Sequence, residues 1–244
     1  MNMSFYTAAV GASQQQKRMN VVANNIANVN TYGYKAEKPS FAALMYGNVT
    51  GIDEQNLPRG TGARLISADT DFGAMGPVAD TGRSLDYAIL GRGFFALKDP
   101  TTGEISYTRD GSFTMSGYQL PNEEGTLTQV FMLSDGEGRF VLDESGAPIE
   151  ITDSQEKQSV AVYDFVHTDG MNPIGANRYL PVEKNGEPYL VANPVVVQGS
   201  LEASSTDLAT EMAKVIEAQR SFSYALRMVQ TSDEVTTTIN GLRG

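Results

Sequence analysis

The N-terminal segment places apolar residues at alternating spacings of three and four. Positions 5, 8, 12, 15, 19, 22, 26 and 29 read Phe, Ala, Ala, Gln, Met, Val, Ile and Val, so that only Gln15 interrupts the series. This heptad spacing is typical of a helix that buries one stripe against a partner helix. Ser4 is a good N-cap residue and Gly33 suits the left-handed turn after a helix, so we predict a helix over residues 4–29.

The C-terminal segment has a second series of the same kind. Positions 208, 212, 215, 219, 222, 226 and 229 read Leu, Met, Val, Gln, Phe, Leu and Val, again interrupted by one glutamine, Gln219. Thr206 or Asp207 can cap the start of a helix here, and Gly241 stands beyond its end. We therefore predict a second helix over residues 207–240.

Helices at the two ends of one chain can bury such stripes against each other. If they run antiparallel with residue 29 near residue 208, Gln15 and Gln219 come within one helical turn of the same level. A single polar residue in an apolar seam can fix the register of paired helices. We therefore expect an antiparallel, coiled-coil-like hairpin in which these two glutamines meet.

The middle of the chain has a different pattern. Residues 60–199 contain short apolar or alternating runs, such as FFAL and VAVYDFV, separated by Gly, Pro, Asn and Asp. Such runs are typical of antiparallel strands joined by turns. Dipeptides that favour tight hairpin turns occur at Asp110-Gly111, Asp135-Gly136 and Asn185-Gly186.

The predicted fold class is therefore α+β, with long terminal helices that pair and a central, mostly antiparallel β domain. The expected segments are an N-terminal helix with its exit turn over 1–38, a connector over 39–59, the β domain over 60–199 and a C-terminal helix over 200–244.

The charge of the chain excludes several kinds of partner. The chain carries 29 acidic and 18 basic side chains, and residues 39–199 hold 22 of the acidic and 10 of the basic ones. An anionic surface argues against nucleic acid or an anionic membrane as a partner. No run approaches the ~18 apolar residues of a membrane helix, so we predict no direct membrane insertion. The N-terminus also lacks the basic and apolar regions of a cleaved signal peptide.

Residue types that carry catalysis or bind metals are scarce or badly spaced. The chain has no cysteine and a single histidine, His167, which excludes a thiolate site and a histidine-rich zinc site. The GRG at 91–93 lacks the third glycine of a dinucleotide-binding loop, and the ADTDFG at 68–73 is not followed by the glutamate of a calcium loop. No spacing singles out a pair of catalytic carboxylates. We therefore predict no enzyme activity, no cofactor and no metal site.

Four asparagines flank the apolar residues Ile26 and Val29 at the end of the first helix: Asn24, Asn25, Asn28 and Asn30. Uncharged hydrogen-bonding groups are an unusual choice for the solvated face of a helix. A helix that contacts neighbours on several sides would have this pattern, because each buried amide must find a partner. We therefore expect these asparagines to contact other protein.

The same stretch, VVANNIANVNTYGYK at 21–35, resembles the N-terminal signature of the bacterial flagellar axial proteins of rod and hook, whose usual form is close to NNLANVxTxGFK. The matching positions are Asn24, Asn25, Ala27, Asn28, Val29, Thr31, Gly33 and Lys35. GSLEASSTDLATEMAKVIEAQRSF at 199–222 resembles the C-terminal signature of that family, and LGRGFFAL and YTRDGSF resemble two of its interior segments. The resemblance covers nearly the whole chain.

This resemblance implies a structural axial subunit of the flagellar basal-body rod, which self-assembles helically through its terminal helices into the drive shaft between motor and hook. It implies contacts with other rod and hook proteins and with the flagellar type III export apparatus. It also implies export, without a cleaved signal peptide, to the rod that spans the periplasm. The residues expected at subunit contacts are Gln15, Asn24, Asn25, Ile26, Asn28, Val29, Asn30, Gly33, Gln219, Arg220, Phe222 and Leu226.

Alternatives to this function stay open at the level of sequence. A length of 244 residues suits a rod protein with one β domain, but a short hook-type or hook-associated axial protein is an alternative. Proximal and distal positions in the rod are equally open. A protein of another class, a peptidoglycan-binding or hydrolysing β protein, would need a cleft with paired carboxylates.

Overall fold

The computed structural model describes residues 3–44, 46–50, 56–121, 127–152 and 158–242. The chain divides into two compact units. The first, called here the helical unit, comprises Met1–Ala27, Glu37–Asp69 and Asp207–Gly244. The second, called here the β unit, comprises Asn28–Ala36 and Thr70–Thr206.

Two long helices dominate the helical unit. Helix α1 spans Met3–Ala27 and helix α2 spans Leu208–Gly241, close to the predicted ranges. Asp207 caps α2, because its carboxylate accepts a hydrogen bond from the Ala209 N–H. The α+β class is confirmed by these helices together with the largely antiparallel strands of the β unit.

The two helices run in opposite directions and contact each other. The Ser4 and Ser232 hydroxyls lie 3.3 Å apart near one end of the pair. Arg18 Nη2 lies 2.9 Å from Glu217 Oε2 further along. At the other end, Asn25 Nδ2 lies 3.3 Å from Glu211 Oε2. These contacts follow the predicted register, in which the end of the first helix meets the start of the second.

Much of the predicted connector, residues 39–59, forms strands. In the helical unit these strands are β1 (Glu37–Ala43), β2 (Tyr46–Thr50), β3 (Asn56–Gly60) and β4 (Ala63–Thr70). β1 pairs with β4, and β2 pairs antiparallel with β3. Residues 60–69 therefore group with the helices, whereas the predicted segments assign them to the β domain. Residues 28–36, assigned to the first helical segment, group with the β unit.

The remaining strands belong to the β unit: β5 (Val78–Asp80), β6 (Tyr87–Ile89), β7 (Phe94–Lys98), β8 (Ile105–Thr108), β9 (Thr114–Pro121), β10 (Leu127–Ser134), β11 (Phe140–Val141), β12 (Val162–Asp164), β13 (Asn172–Gly175), β14 (Arg178–Leu180), β15 (Tyr189–Leu190), β16 (Val196–Gln198) and β17 (Ser200–Glu202). The largest sheet runs β13-β14-β8-β7-β11-β10-β9, and β12 joins it by pairing with β7 and β15. β16 pairs with β6, and β17 pairs with β5.

Strand β7 explains why the sequence FFAL is apolar without alternation. Phe95 and Leu97 pack into one buried cluster, while Phe94 and Ala96 pack into a second cluster on the opposite face. A strand covered on both faces needs apolar side chains at every position. β7 is therefore central to the core of the β unit.

Only one of the predicted tight turns joins paired strands. Asp135-Gly136 connects β10 to β11, which pair at Ser134 and Phe140. Asp110-Gly111 lies between β8 and β9, but β9 pairs with β10, so the predicted hairpin there is wrong. Gly111 is required for a different reason, since a Cβ there would lie 1.8 Å from the Tyr87 carbonyl oxygen. Asn185-Gly186 follows a 3-10 turn and joins strands that do not pair with each other.

Candidate assembly site

The face of α2 that is buried in the helical unit differs from the predicted stripe. Its buried and half-buried residues recur at spacings of four and three: Glu211, Val215, Ala218, Phe222, Ala225, Val229 and Ser232. Val215, Phe222 and Val229 belong to the predicted series as well. The other members of that series are exposed: Leu208, Met212, Gln219 and Leu226. The buried face thus mixes larger side chains such as Phe222 with small ones, Ala218, Ala225 and Ser232, which permit a close approach of the helices.

Exposed apolar side chains form two further stripes on α2. One consists of Leu208, Met212, Ile216 and Leu226. The other lies towards the C-terminus and consists of Tyr224, Met228, Val235 and Ile239, which are 63%, 55%, 53% and 52% exposed. With about 3.6 residues per helical turn, the two stripes lie on opposite flanks of the buried face. Apolar stripes of this kind mark surfaces that contact other protein.

Asn25 is fully buried at the C-terminal end of α1, where it holds strand β1. Its Nδ2 donates to the Glu37 carbonyl oxygen at 2.9 Å, and its Oδ1 accepts from the Glu37 N–H at 2.8 Å. Asn25 Nδ2 also lies 3.3 Å from Glu211 Oε2. Glu211 Oε1 in turn forms an ion pair with Lys214 Nζ at 2.6 Å. The amide of Asn25 is therefore used inside the helical unit, and we remove it from the expected subunit contacts.

The Glu37 carboxyl group responds to the same surroundings. Burial raises the pKa of Glu37, and a hydrogen bond with the Asn24 side chain opposes that rise. Asn24 is itself exposed. The adjacent asparagines thus differ in role, since Asn25 binds the main chain of Glu37 and Asn24 binds its side chain.

The other predicted contact residues of the first signature lie on or near the surface. Asn30 is exposed, and Ile26 and Val29 are half-buried. Asn28 is half-buried and its Oδ1 accepts a hydrogen bond from the Thr31 hydroxyl at 3.2 Å. These residues remain predictions for contacts between subunits.

The two glutamines do not form the expected polar pair. Gln15 Oε1 is buried but has no hydrogen-bond partner among the described residues, and Gln219 is exposed. The neighbouring Gln14 is buried instead, and its Oε1 accepts from the Leu65 N–H at 2.8 Å. In α2, Arg220 is exposed like Gln219, and Phe222 packs in the contact face.

Gly33 occupies a position that no other residue can take without strain. Its φ is +66°, as predicted for the turn after the helix. A Cβ at this position would lie 2.5 Å from the Arg109 carbonyl carbon. Both the left-handed backbone and the close approach to the main chain at Arg109 therefore require glycine.

The segment that begins at Gly33 is bonded to the segment that precedes α2. Within the β unit, the Gly33 N–H donates to the Glu202 carbonyl oxygen at 2.7 Å, and the Ser205 N–H donates to the Tyr34 carbonyl oxygen at 3.0 Å. The Ala36 N–H donates to Ser205 Oγ at 2.9 Å. We call this pairing of residues 33–36 with residues 202–205 the clasp.

A buried cluster of charges holds the clasp. Glu202 Oε1 accepts from Lys35 Nζ at 2.6 Å and from the Gly76 N–H at 3.0 Å, and its Oε2 accepts from Arg109 Nη1 at 3.2 Å. Lys35 also donates to the Ala74 carbonyl oxygen at 2.7 Å, and Arg109 Nη2 to the Gly91 carbonyl oxygen at 2.7 Å. The Glu202 carboxylate thus connects its own strand to the three segments of the β unit that contain Lys35, Gly76 and Arg109.

The pKa values of the two cations reflect their removal from water. Burial lowers the pKa of Lys35, and the hydrogen bond to Glu202 opposes that effect. Burial likewise lowers the pKa of Arg109, and the attraction of Glu202 opposes it. Since a buried cation is costly unless it is paired, the Glu202 carboxylate is essential to this arrangement.

The sequence contained all three members of this cluster without showing that they meet. Lys35 lies in the N-terminal signature, Arg109 in YTRDGSF and Glu202 in the C-terminal signature. Two of these residues are basic and one is acidic, which could have suggested an ion pair. They lie so far apart in the sequence, however, that no spacing rule predicts which of them meet.

The β unit also has a cleft with acidic side chains. It measures about 300 Å³ and is lined by Asp71, Asp164 and Asp169, together with Arg92 and Arg109. The Asp164 carboxylate accepts from the N–H of Phe165 at 2.8 Å and lies 3.4 Å from Arg92 Nε, so it is held by protein groups. Among the described residues, no cluster of His, Cys, Asp and Glu could hold a metal ion.

Three family models match the chain, and each covers a region described above. The flagella basal body rod protein family matches residues 5–35, which contain α1, the asparagines and Gly33. The flagellar hook protein FlgE/F/G D1 domain matches residues 88–162 in the β unit. The flagellar basal body rod FlgEFG protein C-terminal family matches residues 197–242, from β16 to the end of α2. The class of protein is thus that of the flagellar rod and hook subunits.

Individual relatives narrow this class. The flagellar basal-body rod protein FlgG of Buchnera aphidicola subsp. Baizongia pistaciae is 30% identical over 95% of this chain and 96% of its own length. FlgG of Borreliella burgdorferi is 30% identical over 100% of this chain and 99% of its own length. The rod protein FlgF of Mesorhizobium japonicum is 30% identical over 98% of both chains. The chain belongs to the flagellar basal-body rod protein family.

Its role follows from that membership. The protein is a structural subunit of the flagellar basal body and not an enzyme. Its partners are other flagellar rod and hook proteins. Neither helix of the described chain has the length and apolar character that a membrane span requires.

Proposed function

We propose that this chain assembles helically with copies of itself through its terminal helices, forming part of the drive shaft between motor and hook. The observation that carries the proposal is the pair of exposed apolar stripes on α2, one with Met212 and Ile216 and the other with Met228 and Ile239. A free subunit leaves this apolar surface in water. Contact with neighbouring subunits on both flanks removes it, which favours assembly by about 25 cal/mol for each Å² buried.

The geometry of the helices supports an open assembly. The two stripes flank one buried face, so a subunit offers different surfaces to different neighbours. An interface between unlike surfaces produces a filament when its rotation does not close. The buried face of α2 has alternating spacings of four and three, which supports coiled-coil-like packing of α2 against α1.

The exposed polar residues of the first signature supply specificity in this proposal. Asn24, Asn28 and Asn30 lie on or near the surface, with Ile26 and Val29 beside them. A buried amide is costly when it is unpaired, so a neighbour in the wrong register is penalised. Gln15, Gln219, Arg220 and Leu226 belong to the same proposed surface, whereas Asn25, Gly33 and Phe222 support the fold of the subunit.

The arrangement within the rod follows from the same proposal. In this proposal the terminal helices α1 and α2 form the inner layer of the rod and the β domain forms the outer one. The subunit leaves the cytoplasm through the flagellar type III export apparatus and joins the rod that spans the periplasm. Membership of the rod family supports this route.

Charged substitutions in the second stripe test the proposal. Met228→Lys with Ile239→Lys adds two charges to a surface that is exposed in the subunit and buried in the assembly. We expect a folded, exported subunit that forms no complete rod, measured by electron microscopy of purified basal bodies and by swimming. The matched control is Met228→Leu with Ile239→Leu, which keeps the stripe apolar and should assemble. Complete rods from the lysine variant would overturn the proposal.

A further inference from the structure

The largest sheet of the β unit ends in a long strand with an open edge. β9 pairs residue by residue with β10 from Thr114 to Pro121, and no other described strand pairs with it. The two strands read TMSGYQLP and LTQVFMLS, without a single charged side chain. The rest of residues 39–199 holds 22 acidic and 10 basic residues, so this hairpin is the uncharged part of a charged region.

The other strand ends of the same sheet are protected against pairing. β13, at the opposite end, has four residues, contains Pro173 and has a register shift between Pro173 and Gly175. β15 has two residues. Short strands, proline and irregular register are the devices by which proteins prevent edge pairing. β9 has eight residues in unbroken register, and its one proline, Pro121, is its last residue.

One face of the hairpin also carries two exposed apolar side chains. Met115 is 46% exposed and Phe131 is 40% exposed. Phe131 lies opposite Gly117, where a Cβ would come within 3.4 Å of the Phe131 ring. Met115 is therefore the diagonal neighbour of Phe131 across the strand pair, and Gly117 leaves the surface between them flat.

We propose that the β9 edge and this apolar face bind a second copy of the same chain. The inference rests on the proposed self-assembly and adds to the helices a contact made by the β unit. The argument for a second copy is electrostatic. Residues 39–199 carry 22 acidic and 10 basic side chains, so this region repels the same region of a second copy, and an uncharged strand pair is where the two approach at least cost. Within the described part of the chain only β10 pairs with β9, and the main-chain N–H and C=O groups on the other edge of β9 can form hydrogen bonds between copies.

The described side chains limit the extent of this contact. The exposed apolar side chains of the hairpin, Met115 and Phe131, lie beside Gly117. The contact is therefore centred on the part of the hairpin that includes these three residues.

Photo-crosslinking in assembled rods tests the inference. A benzoylphenylalanine residue is introduced at Met115 in the full-length chain, and in separate variants at Val166, which is 65% exposed in the same unit, and at Met228 in α2. Crosslinked peptides are identified by mass spectrometry. We expect the Met115 probe to form adducts with peptides of a second copy of this chain and the Val166 probe to form none. A probe at the exposed Gln119 repeats the measurement if the Met115 variant does not fold.

The outcomes separate this inference from the proposed function. Adducts from Met228 to a second copy, with none from Met115 and Gln119 or adducts only to other proteins, would refute the hairpin contact and leave helical assembly intact. The absence of adducts from all of these probes would refute both. Introducing Met115→Lys should abolish the adduct formed by the Gln119 probe, whereas Val166→Lys should leave it unchanged.

Discussion

Asn25 binds Glu37 in the way that one strand residue binds another. Its side-chain amide donates to the Glu37 carbonyl oxygen and accepts from the Glu37 N–H, at 2.9 and 2.8 Å. The end of α1 thus supplies the hydrogen bonds that the first residue of β1 needs. This use of a side chain as a substitute for backbone explains why asparagine, with a donor and an acceptor in one plane, stands there.

Replacing Asn25 should destabilise the subunit. Asn25→Leu keeps a similar volume but leaves the N–H and C=O groups of the half-buried Glu37 without their side-chain partner. Water can reach a half-buried residue in part, so the free energy of unfolding in urea should fall by about 1–3 kcal/mol. The control is Asn30→Ala, at an exposed asparagine of the same signature, which should change stability little. An Asn25→Leu variant as stable as the parent would show that the pairing contributes nothing.

Alanine at two glycines should separate backbone strain from steric overlap. Gly33 and Gly82 have nearly the same φ, +66° and +67°, but a Cβ at Gly82 meets nothing within 4 Å. Gly82→Ala should therefore cost only the strain of a left-handed residue, about 1–2 kcal/mol. Gly33→Ala should cost about 3 kcal/mol or more, because its Cβ overlaps main-chain atoms at Arg109. Equal losses in thermal unfolding would contradict the close approach.

Removing the Glu202 charge should be far more damaging than removing an exposed one. Glu202→Gln leaves Lys35 and Arg109 buried without an anion and should cost about 3–5 kcal/mol. Glu217→Gln makes the same change in the exposed pair with Arg18 and should cost at most about 1 kcal/mol. Adding Lys35→Met to Glu202→Gln removes one unpaired cation and should restore part of the loss. Strictly additive effects in urea unfolding would show that the two residues are not coupled.

The cap of α2 should contribute stability that depends on acid pH. Hydrogen bonds from the Thr210 hydroxyl and the Ala209 N–H lower the pKa of Asp207 below its ordinary value of 3.8. A carboxyl with a lowered folded pKa stabilises the fold above its unfolded pKa, and this stability is lost as the pH falls through the folded pKa. Asp207→Ala should therefore lower the thermal midpoint at neutral pH.

The difference between parent and Asp207→Ala should shrink as the pH falls below 3.8. Asp207→Ser serves as the control, because a hydroxyl also caps a helix but does not titrate in this range. The difference in thermal midpoint between Asp207→Ser and Asp207→Ala should therefore stay constant with pH. A parent-to-alanine difference that does not change between neutral and acid pH would contradict the role of the charge.

Sequence periodicity located both helices but identified the buried face of α2 only in part. It correctly selected residues such as Phe222, but it also selected the exposed Met212 and Leu226 and missed the buried Ala218 and Ser232. The physical reason is that α2 has exposed apolar stripes as well as a buried one, and all of them contribute apolar residues at helical spacing. One sequence does not show which stripe serves which partner.

The candidate site was only partly predictable for a similar reason. Gly33 was predictable because a left-handed turn is a local property with a strong residue preference. The role of Asn25 was not, because its partner is the main chain of Glu37, and main-chain groups are the same for every residue type. The cluster of Lys35, Arg109 and Glu202 depends on the tertiary fold, which brings together charges that lie far apart along the chain.

The clasp has a consequence for how proteins of this kind can vary. The Asp71 N–H donates to the Ala36 carbonyl oxygen, and Ser205 bonds to Tyr34 and Ala36. Three of the four points where the chain crosses between its two units, after residues 36, 69 and 206, are therefore tied to one another within the β unit. Loops elsewhere in that unit can lengthen, shorten or accept a whole inserted domain without moving those three points. Evolution can enlarge the β unit of such a subunit while the path of the chain at these points stays the same.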